Sequence, residues 1–165
     1  VNAILDLLKT DDSQVWRRAL VRTFLALIEG TTWHLKQAAL QHPGAQLLRI
    51  AEHALLREET YDLSDNGKAK TRPRFLRTAA NLRFVLGIYP RLIGRGFVPD
   101  FSGAGWHAFR DVLAIRNRIT HPRSAADCNV ATRDLRTLTQ ALAWYQTTME
   151  QLSDASEESS SWKTK

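Results

Sequence analysis

What the chain has little of narrows the reading before any motif does. Its 165 residues hold one cysteine, Cys128. A lone thiol makes no internal disulfide and no multi-thiolate metal centre, which fits a reducing compartment and an inert packing role. No run approaches the roughly 18 consecutive apolar residues of a membrane span. No basic start leads into a short apolar stretch and a cleavage site, so export and a membrane partner are not expected and the cytoplasm is. Strand patterning is missing too: no segment shows the period-two alternation of β-branched residues. Internal repeats are absent. Val1 stands where an initiator methionine would, which points to residues upstream.

What is present is enough for one core. An apolar fraction of 44% over this length predicts a single domain, residues 1–152, followed by a disordered Ser/Glu-rich tail, 153–165. The net charge is +6. Of the 23 basic residues 17 are arginine, whose rigid fork of donors suits phosphate oxygens better than a lysine point charge does. Composition alone weighs this evenly against an ordinary solvated surface.

Helical periodicity runs through the chain and predicts an all-α, up-and-down bundle of about five helices. A short helix covers residues 2–9. A long one starts at the capping residues "DDS" (Asp11 to Ser13) and runs to Gln41, where "HPG" breaks it. A third spans 44–60. The basic, Gly- and Pro-punctuated "DLSDNGKAKTRP" then reads as a mobile surface loop. Phe75, Ala79, Leu82, Leu86, Tyr89 and Ile93 form the core stripe of a fourth helix that Pro90 bends or ends. The helix from Trp106 to Thr120 follows, and a last one displays Leu135, Leu138, Leu142, Tyr145, Met149 and Leu152.

Chemistry concentrates in "IRNRITHP", residues 115–122. Trp106, Phe109 and Leu113 recur at helical spacing, and Arg116 continues their apolar stripe, while Arg110, Asp111 and Arg118 fall elsewhere on the wheel and read as solvated surface. A guanidinium stays charged on burial and needs an anion, either a carboxylate or a phosphate. Pro122 disfavours helical geometry at His121, which places that imidazole at the helix end. Spacing alone carries no weight, since chance supplies about 1.5 Arg–His pairs over the allowed separations in such a chain. Context does: a core-facing arginine, Asn117 beside it, a helix end between Arg116 and His121, and no second match in the chain.

"LAIRNRITHP" in a helical domain of this size resembles the HEPN superfamily, whose signature is arginine and histidine with four to six residues between them, the first of these polar and often asparagine. "WRRALVRTFLALIEG" is similar to the first long helix of that superfamily, and the resemblance covers roughly residues 12–152. It implies a HEPN-like bundle that forms a homodimer, pairs two such motifs, and cuts RNA as a metal-independent endoribonuclease in a toxin or phage-defence setting, with Arg116, Asn117 and His121 as the catalytic residues. An antitoxin or regulatory protein is a further partner the resemblance admits. One subgroup, partnered with nucleotidyltransferase antitoxins, has tyrosine two residues after the histidine; Arg123 stands there in this chain, so that pairing does not carry over.

The reaction itself can be argued from the residues. RNA carries its own nucleophile, the 2′-hydroxyl, so cleavage needs a base, an acid, and positive charge on the pentacoordinate phosphorus. Two copies of His121 and of Arg116 supply that set without a cofactor. His34, His42, His53 and His107 are scattered without metal-ligand spacing, so no metal is expected. The bland reading of Arg116 and His121 is a polar helix-end cluster paired to a carboxylate. Weaker RNA-binding candidates are Arg18 and Arg22, on one helical stripe with Leu25 and the potential cleft acid Glu29, then Arg118 and Arg123, and the loop cations Lys68, Lys70, Arg72 and Arg74. Ordinary solvation accounts for the helical stripe at least as well and for the loop cations slightly better. Trp33 or Trp162 can stack on bases. The alternative function is a non-catalytic HEPN-like module that binds RNA or protein; a DNA-binding helical protein is disfavoured, because no short helix pair presents a recognition helix.

Overall fold

The computed structural model describes residues 1–94 and 97–161. In chain order they form α1 (Asn2–Thr10), α2 (Gln14–Gln41), a 3-10 turn (Pro43–Leu47), α3 (Ile50–Leu56), β1 (Glu59–Leu63), β2 (Ala69–Pro73), α4 (Thr78–Leu92), α5 (Ala104–Thr120), a second 3-10 turn (Ala125–Cys128) and α6 (Thr132–Ser161). Contacts divide the chain into two compact units, where the composition predicts one domain: residues 1–28 with 99–153, and residues 29–98 with 154–165. Among the described residues no helix is long and apolar enough to cross a membrane.

In the first unit, α2 buries Leu20, Val21, Phe24, Leu25 and Ile28, the three-and-four spacing of a core-facing stripe. Leu27, next to Ile28 in sequence, is 42% exposed. From α6 come Leu138, Leu142, Tyr145 and Leu152 of the predicted stripe together with Ala141, while Leu135 and Met149 of that stripe are half-buried. Phe24 meets Tyr145 edge-on at 6.3 Å. On α5, Trp106 and Phe109 join Trp144 of α6 and Phe101 in an aromatic cluster with centroid separations of 5.0 to 6.4 Å. The helices cross so closely there that a Cβ on Gly105 would fall 2.3 Å from Trp144 Cβ.

The second unit corrects several expectations. The helix predicted over 44–60 is a 3-10 turn followed by the short α3. Leu48 and Arg49 between them are extended, because His42 Nδ1 caps the first piece through the Gly44 N–H and Glu52 closes on the Arg49 N–H to start the second. The basic stretch read as a mobile loop is an antiparallel hairpin, so the fold is predominantly helical rather than all-α; β1 and β2 pair Glu59 with Pro73 through Leu63 with Ala69. The turn signal was Asn66–Gly67: Gly67 adopts φ 74° and donates to the Ser64 carbonyl at 2.8 Å. No burial alternation betrayed the strands because both faces of β2 meet solvent. On α4, Leu82, Val85, Leu86 and Ile88 are buried, whereas Phe75 precedes the helix and is fully exposed.

The tail expected to be disordered continues α6 as far as Ser161. Residues 153–161 contain neither glycine nor proline, and extending an established helix costs little per residue. Residues 162–165, Trp162 among them, lie outside the described residues.

Candidate functional site at the end of helix α5

The buried positions of α5 are Trp106, Ala108, Phe109, Val112, Ile115 and Ile119. At about 100° per residue their mean direction lies close to Val112, on the side of Ile119, which leaves Arg116 about 40° to one side and Arg118 about 120° to the other. Arg116 is therefore half-buried at the flank of the apolar face, not on its centre line. His121 closes the helix as its C-cap, with φ −124° and ψ 62°, and its N–H donates to the Asn117 carbonyl at 2.9 Å. Both Asn117 and His121 are exposed.

Arg118, read from the sequence as solvated surface and as a weak RNA contact, is instead built into the fold. Its guanidinium donates to the carbonyls of Asp127 (3.0 Å) and Asn129 (2.7 Å) and to Asp134 Oδ2 (2.7 Å), a carboxylate on a residue only 8% exposed. The loop after His121 is held from a second side. Gln14 brackets Val130, accepting its N–H at 2.8 Å and donating to its carbonyl at 3.1 Å; Arg17 donates to the same carbonyl at 2.8 Å, and Arg18 to that of Cys128 at 3.3 Å. Three arginines of the basic excess thus hold main-chain carbonyls of residues 127–130.

Asp127 ties the loop to itself. Its carboxylate accepts the N–H groups of Arg123 (2.8 Å) and Ser124 (3.1 Å). Those bonds, the Arg123 N–H foremost, with the Arg118 charge added, hold its pKa below the usual carboxylate range. The Ser124-x-x-Asp127 spacing of a capping box is the signal by which the sequence announces this turn. Around it lies a hollow of about 300 Å³ lined by Arg118, His121, Arg123 and Asp127. The structure therefore brings His121 together with Arg118 and Arg123; Arg116 and Asn117 are not among the lining residues.

The remaining candidates are dispersed. Arg18 is half-buried and engaged as above, and Arg22 is exposed. Glu29 belongs to the other unit, where it accepts from Thr78 Oγ1 at 3.4 Å. Lys68, Lys70 and Arg72 sit on the hairpin, with Arg72 paired to Asp62 at 2.9 Å. Trp33 is 55% exposed, its ring edge-on to His34 at 5.0 Å.

Comparison with known proteins finds no matching family model, no matching curated protein and no matching solved structure. The site must be judged on its chemistry. It offers an exposed imidazole on a helix end, the Arg123 side chain, the engaged guanidinium of Arg118 and the Asp127 carboxylate beside it, and a loop whose backbone is pinned at residues 123–130.

Proposed function

We propose that the chain is a metal-independent endoribonuclease that acts as a homodimer, with Arg116, Asn117 and His121 as its catalytic residues. The observation that supports this most is His121: an exposed imidazole at the end of α5, lining a small polar hollow with Arg118, Arg123 and Asp127. Imidazole performs both acid and base work near neutral pH. One His121 takes the 2′-hydroxyl proton as that oxygen attacks the adjacent phosphorus. The partner's His121 returns a proton to the departing 5′-oxygen. Guanidinium charge offsets the extra negative charge on the pentacoordinate phosphorus. The products are a 2′,3′-cyclic phosphate and a 5′-hydroxyl, and dimerisation is required because one imidazole cannot serve both ends of the step at once. A toxin or phage-defence role, with an antitoxin or regulatory partner, rests on the family resemblance alone.

The test is incubation of purified protein with RNA in EDTA beside Arg116→Ala. Wild type yields cyclic-phosphate and 5′-hydroxyl ends, and the variant yields almost none. Cleavage that EDTA abolishes, or ends of the opposite polarity, would refute the reading. A second reading, a module that binds RNA or protein without cutting, is favoured by one observation: Arg116 is half-buried and does not line the hollow around His121. Under that reading Arg116→Ala binds as wild type does and no preparation cleaves.

A further inference from the structure

We propose that the β1–β2 hairpin is a binding site for the sugar–phosphate backbone of a single-stranded nucleic acid, gripped by a row of four cations: Lys68, Lys70, Arg72 and Arg74. Pairing extends past the assigned strands at both ends, since the Ser64 N–H donates to the Lys68 carbonyl at 3.0 Å and the Arg74 N–H to the Glu58 carbonyl at 2.6 Å. All four cations consequently occupy alternate positions of one paired strand. In a pleated strand alternate residues share a face. Their neighbours Ala69, Thr71 and Pro73 fall on the other face, opposite Leu63, Tyr61 and Glu59.

All four cations are exposed, and the strand buries none of its five residues. β1 packs at its base, where Glu59 and Thr60 are half-buried beside α3, but beyond that point the ribbon packs neither face; an isolated two-stranded hairpin is marginal in water, so such an extension is costly to keep unless it contacts something else. Opposite the row stand Asp62, which pairs with Arg72, and at the base of the hairpin Glu58, whose carboxylate is taken up by Lys36 and Asn81; Asp65 of the turn shares a hollow with Lys70 and Arg72. The Arg72 and Asp62 side chains are 65% and 50% exposed, and such a pair contributes about 0–1 kcal/mol, so a phosphate displaces Asp62 easily. The rungs repeat every ~6.8 Å along a nearly straight line, comparable to the separation of successive phosphates in an extended single strand. Duplex phosphates wind around an axis and leave a straight row after one or two contacts.

Because the hairpin is separate from the helix-end residues, the proposal stands without the cleavage reading. Binding is measured by fluorescence anisotropy with labelled oligo(dT) and oligo(U) of about 20 nucleotides over a salt series; the DNA strand lacks the 2′-hydroxyl and cannot be cut by the mechanism above. Four phosphates predict a slope of log affinity against log salt of about −2.8 for either strand. Exchanging the two faces at one rung, Lys70→Thr with Thr71→Lys, keeps the net charge and is expected to weaken binding about five-fold and flatten the slope by about 0.7. Lys68→Gln with Lys70→Gln flattens it by about 1.4 and decides the matter should the exchange variant fail to fold. Tyr61→Ala, on the opposite face, leaves affinity unchanged. Unaltered slopes in the lysine variants, loss of binding in Tyr61→Ala, preference for duplex, or binding to anionic phospholipid vesicles with none to oligonucleotide would each overturn the proposal. Loss of oligo(dT) binding in the lysine variants while RNA cutting is never observed would uphold it and dismiss the nuclease instead.

Discussion

Lys36 illustrates how much one side chain can cost. It is 1% exposed, and its ammonium donates to Glu58 Oε1 at 2.7 Å and, at 3.4 Å, to the Leu55 carbonyl. Glu58 also accepts from Asn81 at 3.2 Å and sits in the left-handed region at φ 56°, a strained conformation held at the base of the hairpin. Glu58→Ala strands a buried charge. The expected loss is about 2 kcal/mol, below the figure for a fully enclosed pair because Glu58 is half-exposed, and denaturant unfolding measures it. The hydrogen bond from Lys36 holds the Glu58 carboxyl below its ordinary value of 4.5. Its contribution is therefore complete above that pH and is lost as pH falls through the lowered value, so the difference between wild type and Glu58→Ala shrinks on acidification. A constant difference down to acid pH would contradict this. At the same scale, the helix wheel assigns Arg116 to the interior and Arg118 to solvent, whereas both are half-buried: Arg118 is fixed by Asp134, sixteen residues on, and by loop carbonyls whose position no local pattern states.

Elements were legible where burial has a period and illegible where it has none. α2 and α5 stand close to their expected bounds, and most of the stripe of α6 is buried, because each faces a core at helical spacing. The hairpin left only its Asn66–Gly67 turn as a trace, and Phe75 matched a helical period that the extended stretch before α4 does not follow. Glycine at 105 is explained only by the neighbouring helix: a Cβ there meets the Trp144 Cβ, rooted in backbone, rather than a yielding side-chain tip. Gly105→Ala must push α5 from α6. Overpacking of about 1–3 kcal/mol exceeds the helix-propensity gain of at most about 1, so a fall in Tm of several degrees is expected. A rise in Tm would show that the crossing relaxes freely.

At the scale of the whole molecule, the account requires two chains for one active centre. Specific activity should fall as the protein is diluted below its dimer dissociation constant, and sedimentation should show the monomer appearing over the same range. Two inactive variants, Arg116→Ala and His121→Ala, should not restore full activity when mixed, since no mixed dimer carries the complete set of four groups. The most direct measurement compares His121→Ala with wild type for RNA cleavage in EDTA, for RNA binding, and for melting temperature. His121 is exposed and ends its helix, so its truncation should cost at most about 1 kcal/mol of stability and leave binding nearly intact. Cleavage should fall by roughly 100- to 10,000-fold, toward the upper end for a group used twice. Near wild-type cleavage by a folded His121→Ala protein would contradict the account, and the helix end would then be a structural cluster.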